Sequence, residues 1–246
     1  MTDNAPVYLV LGASGGIGSA LSRRLSAGGA RVVAAGRASE RLSALGVDLA
    51  TEPIALDARE TAAVEAAART ALERHGRLDG MANCVGSLLL KPAHLTTDAE
   101  WSETLALNLG TAFATVRAAA KTMRNGGSVV LVSSAAARVG LAMHEAIAAA
   151  KAGVIGLTLS SAATYAAQGL RFNAVAPGLV RSPLTAKITA SETAAAASTA
   201  MHALGRLGEP DDIAAMIAWL LDPAQSWITG QVFGVDGGLA TVRTRK

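Results

Sequence analysis

Two hydrophobic periodicities alternate along the chain. Short runs of consecutive apolar, largely β-branched residues are followed by longer stretches whose apolar positions recur every three or four residues. Val7–Leu11 is such a run, closed by Gly12; it is too short for a helix and predicts a buried strand. Ile17, Leu21 and Leu25 then share one helical face until Gly28-Gly29 stops the pattern. Further strands are predicted at 31–35, 53–56, 78–84, 128–132, 170–175 and 232–235. Further helices are predicted at 39–45, 60–75, 98–123, 145–167 and 211–221, the last capped by Asp211 and Asp212 and ended near Pro223. Strands that are apolar throughout belong in a sheet covered on both faces, and a strand–helix–strand rhythm makes that sheet parallel. The expected fold is therefore α/β, a doubly wound parallel sheet of seven strands in three layers. No repeat or linker divides the chain, so a single domain over 1–246 is expected. Residues 184–203, rich in Ala, Ser and Thr, carry the weakest pattern and are expected to form a lid over the site.

Composition narrows the class without changing this picture. Hydrophobic residues make up 51% of the chain and charged residues 17%, which excludes global disorder. The net charge of +3 is small, and Arg243, Arg245 and Lys246 at the end account for much of it, so no nucleic-acid partner is expected. Cys84 is the one cysteine, which excludes an intrachain disulfide and a cysteine-based zinc site and is compatible with a reducing compartment. His75, His94 and His202 show no metal-ligand spacing. The first six residues have no basic segment leading into an apolar core, and Gly, Arg, Asp or Ser interrupts every apolar run before membrane-spanning length. These features predict a soluble, cytoplasmic protein with no membrane partner and no metal.

The chemistry begins where the first strand ends, in Gly12-Ala13-Ser14-Gly15-Gly16-Ile17-Gly18. Glycines here permit a tight turn, close approach of a phosphate and packing of the next helix on the sheet. The helix start offers unpaired N–H groups and the positive end of its dipole to a diphosphate. Gly12, Ser14, Gly16, Ile17 and Gly18 are therefore candidate contacts to a dinucleotide. The second strand ends in Gly36-Arg37, with Arg41 one turn on, where an NAD-binding chain would carry an acid for the ribose 2′-hydroxyl. A guanidinium at that place pairs with a 2′-phosphate, so NADP (NADPH) is the expected cofactor and Arg37 its selector.

At this point the chain resembles the short-chain dehydrogenase/reductase family, from Val7 to about Gly238. The motifs that carry the likeness are Gly12–Gly16–Gly18, Leu56-Asp57, Asn83-Cys84-Val85-Gly86, Asn108-Leu109-Gly110, Ser134, Lys151-Ala152-Gly153, the stretch from Asn173 to Val180, and Thr229-Gly230-Gln231 with Val235-Asp236-Gly237-Gly238. The resemblance implies a Rossmann-type sheet with its site at the strands' C-terminal edge. It implies that Asp57 contacts adenine, and that Asn83, Gly86, Pro177, Gly178 and Val180 line the cofactor. It further implies that Ser134, Lys151 and Asn108 are catalytic, and that the molecule is a homotetramer or homodimer. The small residues at 112–120 and 146–167 would allow close helix contact between subunits. Trp219 and Trp227 are expected in a core or a subunit contact. Leu88, Leu89, Leu90, Leu141, Met143 and Leu179 would surround a small-molecule substrate with apolar side chains, with Arg138 at the pocket rim.

One departure from the family pattern bears on the reaction. The family's proton donor is a Tyr four residues before the Lys, and Ile147 stands there. Tyr165 lies almost four turns beyond Lys151, about 20 Å along a helix, and Tyr8 is in the first strand. Losing acid–base help costs ~10²–10⁴ in rate, whereas positioning and the cofactor's own reactivity survive. Three readings follow. His144, one turn before Ile147, supplies the proton; Lys151 acts through a water with Ser134 orienting the oxygen; or the chain binds NADP(H) without carbonyl turnover.

Overall fold

The computed structural model describes residues 5–243. The expectations that rest on the first four residues and on Arg245 and Lys246 lie outside the described residues.

Seven strands form one sheet: β1 (Val7–Leu11), β2 (Arg31–Gly36), β3 (Ile54–Ala55), β4 (Gly80–Asn83), β5 (Gly127–Val132), β6 (Leu170–Pro177) and β7 (Val232–Val235). Their spatial order is β3-β2-β1-β4-β5-β6-β7 and all neighbours are parallel. The chain order reverses between β1 and β4, which opens a crevice at their C-terminal ends. The helices are α1 (Gly16–Ala27), α2 (Glu40–Asp48), α3 (Thr61–His75), α4 (Asp98–Leu105), α5 (Thr111–Thr122), α6 (Glu145–Tyr165), α7 (Ala186–Thr189), α8 (Glu192–Met201) and α9 (Pro210–Leu221).

Alternation along the strands builds two cores. Leu9, Leu11, Val33, Val129 and Phe172 point to the face covered by α3, α5 and α6. Tyr8, Val10, Val32, Ala34 and Val130 point to the face covered by α1, α2 and α9. Every residue of β1 and β4 is buried, so neither strand shows a polar alternation.

Four expectations needed correction. The long helix at 98–123 is interrupted by a π-turn at Ala106–Gly110, because Asn108 spends its side chain on neighbouring backbone and loop groups. β3 and β4 are shorter than predicted, although the flanking Leu56, Asp79 and Cys84 still donate their backbone N–H to the neighbouring strands. Residues 145–168 do form a helical stretch long and apolar enough to cross a membrane, contrary to expectation. Its glycine breaks are tolerated inside a helix, and its Ala146, Ile147, Ala150 and Val154 are buried in the fold. The last helix is capped by Glu209 and Asp212 acting reciprocally, with Pro210 in the first turn, rather than by the Asp pair.

Candidate active site

The crevice between β1 and β4 begins at Gly12, whose φ of +74° and surroundings both demand glycine: a Cβ there would lie 2.8 Å from the carbonyl carbon of Cys84 and the nitrogen of Val85. A Cβ on Gly18 would collide with the Gly12 carbonyl oxygen. Gly15 N donates to Gly12 O at 3.0 Å and Ser19 N to Gly15 O at 2.9 Å. The N–H groups of Ser14, Gly16, Ile17 and Gly18 have no partner among the described residues. Orphan donors at a helix start, reached through glycine, are the donor set that takes a diphosphate.

Ser14 Oγ stands beside the end of β2, 3.6 Å from where a Gly36 Cβ would be. Arg37 follows, exposed and without an ion pair among the described residues. Ser14, Gly16 and Arg41 line an open cleft of about 840 Å³ that runs outward along α1 and does not reach Ser134, Lys151 or His144. Asp57 stands after β3 as expected, but its carboxylate is engaged: Arg59 donates to it through its backbone N at 2.9 Å and a guanidinium nitrogen at 2.6 Å. Hydrogen bonding from Arg59 holds that carboxyl below the usual carboxylate range.

The other end of the crevice holds Lys151. It is buried, and its Nζ donates to Val132 O at 2.8 Å. Desolvation pushes its ammonium down to about 8, while the neighbouring Cys84 acts the other way. Burial pushes the Cys84 thiol up to about 12, which keeps it protonated and a poor nucleophile near neutral pH. Ser133 Oγ donates to Lys151 O at 2.8 Å and ties β5 to α6 at this point. Asn108, in the π-turn, donates through Nδ2 to Thr104 O and Ser87 Oγ, both at 2.9 Å, and accepts Ser87 N at 3.2 Å. A Cβ on Gly86 would sit 3.0 Å from Asn108 Oδ1 and 3.6 Å from Lys151 Nζ, so Gly86, Asn108 and Lys151 are brought together. Asn83 braces this corner by donating to Thr111 Oγ1 at 3.2 Å and accepting Val85 N at 2.9 Å.

Ser134 is partly buried at the end of β5, where its Oγ accepts Ala136 N at 3.1 Å. Its hydroxyl proton remains available as a donor. Ile147 is 3% exposed, one turn before Lys151, so an aliphatic side chain fills the place of a phenol. Tyr8 lies near the start of β1, at the opposite edge of the sheet, and burial pushes it up to about 12; Tyr165 packs on Phe172 with ring centroids 5.7 Å apart. Neither replaces it.

His144 is the N-cap of α6, which starts at Glu145 as the sequence predicts. Its Nδ1 lies 2.7 Å from Ala142 O, and a carbonyl only accepts, so Nδ1 carries a proton and Nε2 is the free nitrogen. The residue before it, Met143, has φ +64° in the left-handed region, and its carbonyl accepts Lys91 N at 2.8 Å. Leu90 and Met143 are exposed, leaving part of the expected apolar wall open to solvent.

After β6, Gly178 N donates to Val235 O, and Val180 pairs as an isolated bridge with Gly208. The expected lid at 184–203 folds as α7 and α8 with a single-turn helix before them. Arg138 is exposed, its Nη1 2.6 Å from where a Gly234 Cβ would be. Trp227 is 98% exposed, so it belongs to no core of this chain. Sequence reasoning missed His202, which was read only for metal spacing; the signal of its position, a glycine it excludes from carrying a side chain, exists only in three dimensions.

Comparison with known proteins places this geometry. The family model described as enoyl-(acyl carrier protein) reductase matches residues 12–240. The 3-oxoacyl-[acyl-carrier-protein] reductase of Thermotoga maritima is 32% identical over 95% of this chain and 97% of its own. Among solved structures, a short-chain type dehydrogenase/reductase from Mycobacterium ulcerans superposes with a TM-score of 0.91 at 32% identity, covering 97% of this chain and 90% of its own. An actinorhodin polyketide ketoreductase variant solved with NADPH superposes with a TM-score of 0.92 at 28% identity, covering 98% and 99%.

Proposed function

The chain belongs to the short-chain dehydrogenase/reductase family of nicotinamide-dependent oxidoreductases, and on that premise we propose that it moves hydride between NADP(H) and a small carbonyl or alcohol, with His144 handling the proton. The observation that carries the cofactor is the row of unpartnered N–H groups at Ser14 and Gly16 to Gly18, next to an exposed Arg37 that makes no ion pair among the described residues. The residues present fit a phosphorylated dinucleotide. The N–H row would hold the diphosphate, while Arg37, Arg41 and Ser14 would hold the 2′-phosphate. Asp57, Asn83 and Gly86 would border the adenosine and the ribose, and Lys151 would hold the nicotinamide ribose. Pro177, Gly178 and Val180 would border the ring. Bound there, the cofactor supplies or accepts the hydride.

The chain's own part in the chemistry is at the substrate oxygen. The Ser134 hydroxyl donates to that oxygen and orients it. Because Nδ1–H of His144 is committed to Ala142 O, the proton moves at Nε2, which delivers it in reduction and takes it in oxidation. Asn108 supports the site through Ser87 and the π-turn. The buried Ile147 favours a second reading, a protein that binds NADP(H) without reducing carbonyls.

Fluorescence titration with NADPH and NADH, followed by turnover of a panel of aldehydes and ketones, tests both readings. NADPH preference that is lost in Arg37→Ala is expected, as is activity lost in His144→Ala and kept in Glu145→Ala. Equal affinity for the two nucleotides overturns the NADP assignment, and full activity in His144→Ala overturns the proton assignment. Exposed Trp227 and half-exposed Trp219, which stacks edge-on against Phe233 at 6.1 Å, support a homodimer or homotetramer, read by light scattering.

A further inference from the structure

His202 follows the last residue of α8 and is 4% exposed. Its Nδ1 lies 2.7 Å from Ser198 O, and its Nε2 accepts the N–H of Leu179 at 3.2 Å. A carbonyl can only accept, so the ring is the neutral Nδ1–H tautomer, the one state that serves both partners. The ring is seated among three separate segments. A Cβ on Gly178 would lie 2.6 Å from Nε2, and one on Gly237 would lie 3.5 Å from the ring's Cδ2. The ring thus joins the end of α8, the turn leaving β6 and the turn leaving β7.

The donors of the β6 turn show what this contact accomplishes. Gly178 N goes to Val235 O and Arg181 N to Gly208 O. Leu179 N goes to the imidazole, and Val180 N alone has no partner among the described residues. Leu179 O is meanwhile held by Gly208 N at 2.9 Å. His202 satisfies a donor of the turn that the backbone does not, ties the Gly178–Leu179 peptide to the end of α8, and leaves Val180 N–H as the donor of the turn without a partner among the described residues.

We propose that His202 is a positioning residue: through Leu179 N–H it sets the Pro177–Val180 turn against the nicotinamide and couples the end of α8 to that turn. This rests on the cofactor reading given above. Two isosteres separate the ring's nitrogens. Asparagine reproduces the Nδ1 donor to Ser198 O and lacks the Nε2 acceptor; glutamine reproduces the acceptor and lacks the donor.

The test compares native protein, His202→Gln and His202→Asn by NADPH titration, by amide hydrogen exchange at Leu179, and by thermal unfolding. His202→Asn is expected to lose about five- to tenfold in NADPH affinity, the equivalent of one buried N–H left without its acceptor, with faster exchange at Leu179. His202→Gln is expected to stay within about twofold of native in affinity, by retention of that acceptor. A purely structural role predicts losses in affinity that track the fall in melting temperature, whichever nitrogen is lost. Gln and Asn variants that bind NADPH alike, or an Asn variant with native affinity, overturn the proposal. A native protein that binds neither NADPH nor NADH overturns the cofactor reading instead, while the exchange at Leu179 still reports whether the contact exists.

Discussion

Replacing Lys151 by methionine should make the protein more stable at neutral pH and less able to hold a nucleotide. The ammonium is buried at the foot of the crevice, with Val132 O as its one hydrogen-bond acceptor among the described residues. Burial lowers its pKa from 10.5 to about 8. At ~1.4 kcal/mol per pKa unit, that gap is worth about 3 kcal/mol of desolvation carried by the folded state. Below pH 8 the side chain is protonated in both the folded and the unfolded chain, so the cost is present in full. Between pH 8 and 10.5 the unfolded chain binds the extra proton, so this contribution makes stability rise with pH. Methionine has similar length and no charge. It forfeits the bond to Val132 O, about 1 kcal/mol, which leaves a net gain of about 2 kcal/mol near pH 7. Denaturant unfolding of both proteins from pH 7 to pH 10 measures it. Cys84 and Tyr8, whose folded pKa values are raised to about 12, contribute in the opposite sense above pH 9 and pH 10 respectively. Tyr8 is unaffected by the substitution and cancels in the difference; Cys84 is coupled to Lys151, so the Lys151 contribution is read by itself below pH 9. That difference should favour the variant at pH 7 and shrink as pH rises. A variant less stable than native at pH 7, by an amount that does not change with pH, would refute the reasoning.

Two further outcomes follow from the same geometry. Ile147→Tyr places a phenol one turn before Lys151, and carbonyl reduction should rise by ~10²–10⁴; unchanged turnover in a folded variant means that more than the phenol is missing. Gly18→Ala drives a Cβ into the Gly12 carbonyl, so the variant should lose more than ~2 kcal/mol of stability and its NADPH binding, measured by thermal melting and titration.

The nucleotide end of the site was legible because its residues are local. Gly12 to Gly18 sit on one strand, one turn and one helix start, and Arg37 is the next residue after the following strand. Steric demand and backbone donors act over a few residues there, so spacing alone carries the meaning. The reaction end was legible only through resemblance. Ser134, Asn108 and Lys151 come from three elements, and no periodicity brings Gly86, Asn108 and Lys151 within contact. His144 shows the limit most clearly: its place just before the helix was legible, but the closure of its Nδ1 on Ala142 O, which leaves Nε2 free, was not.

By itself, then, the amino-acid order determined the strand–helix alternation, the two-faced burial of the strands and the anion-binding turn, because each depends on neighbours within one or two turns of chain. Only the tertiary structure decided how the strands are ordered and which side chains meet across the crevice. It alone showed that the apolar helix carrying Lys151 packs one face, with Ile147, Ala150 and Val154, into the fold, and that His202, distant in sequence from Leu179, supplies the acceptor for its N–H. Those outcomes depend on contacts between segments tens of residues apart, where packing and the need to satisfy buried polar groups, rather than local preference, select the arrangement.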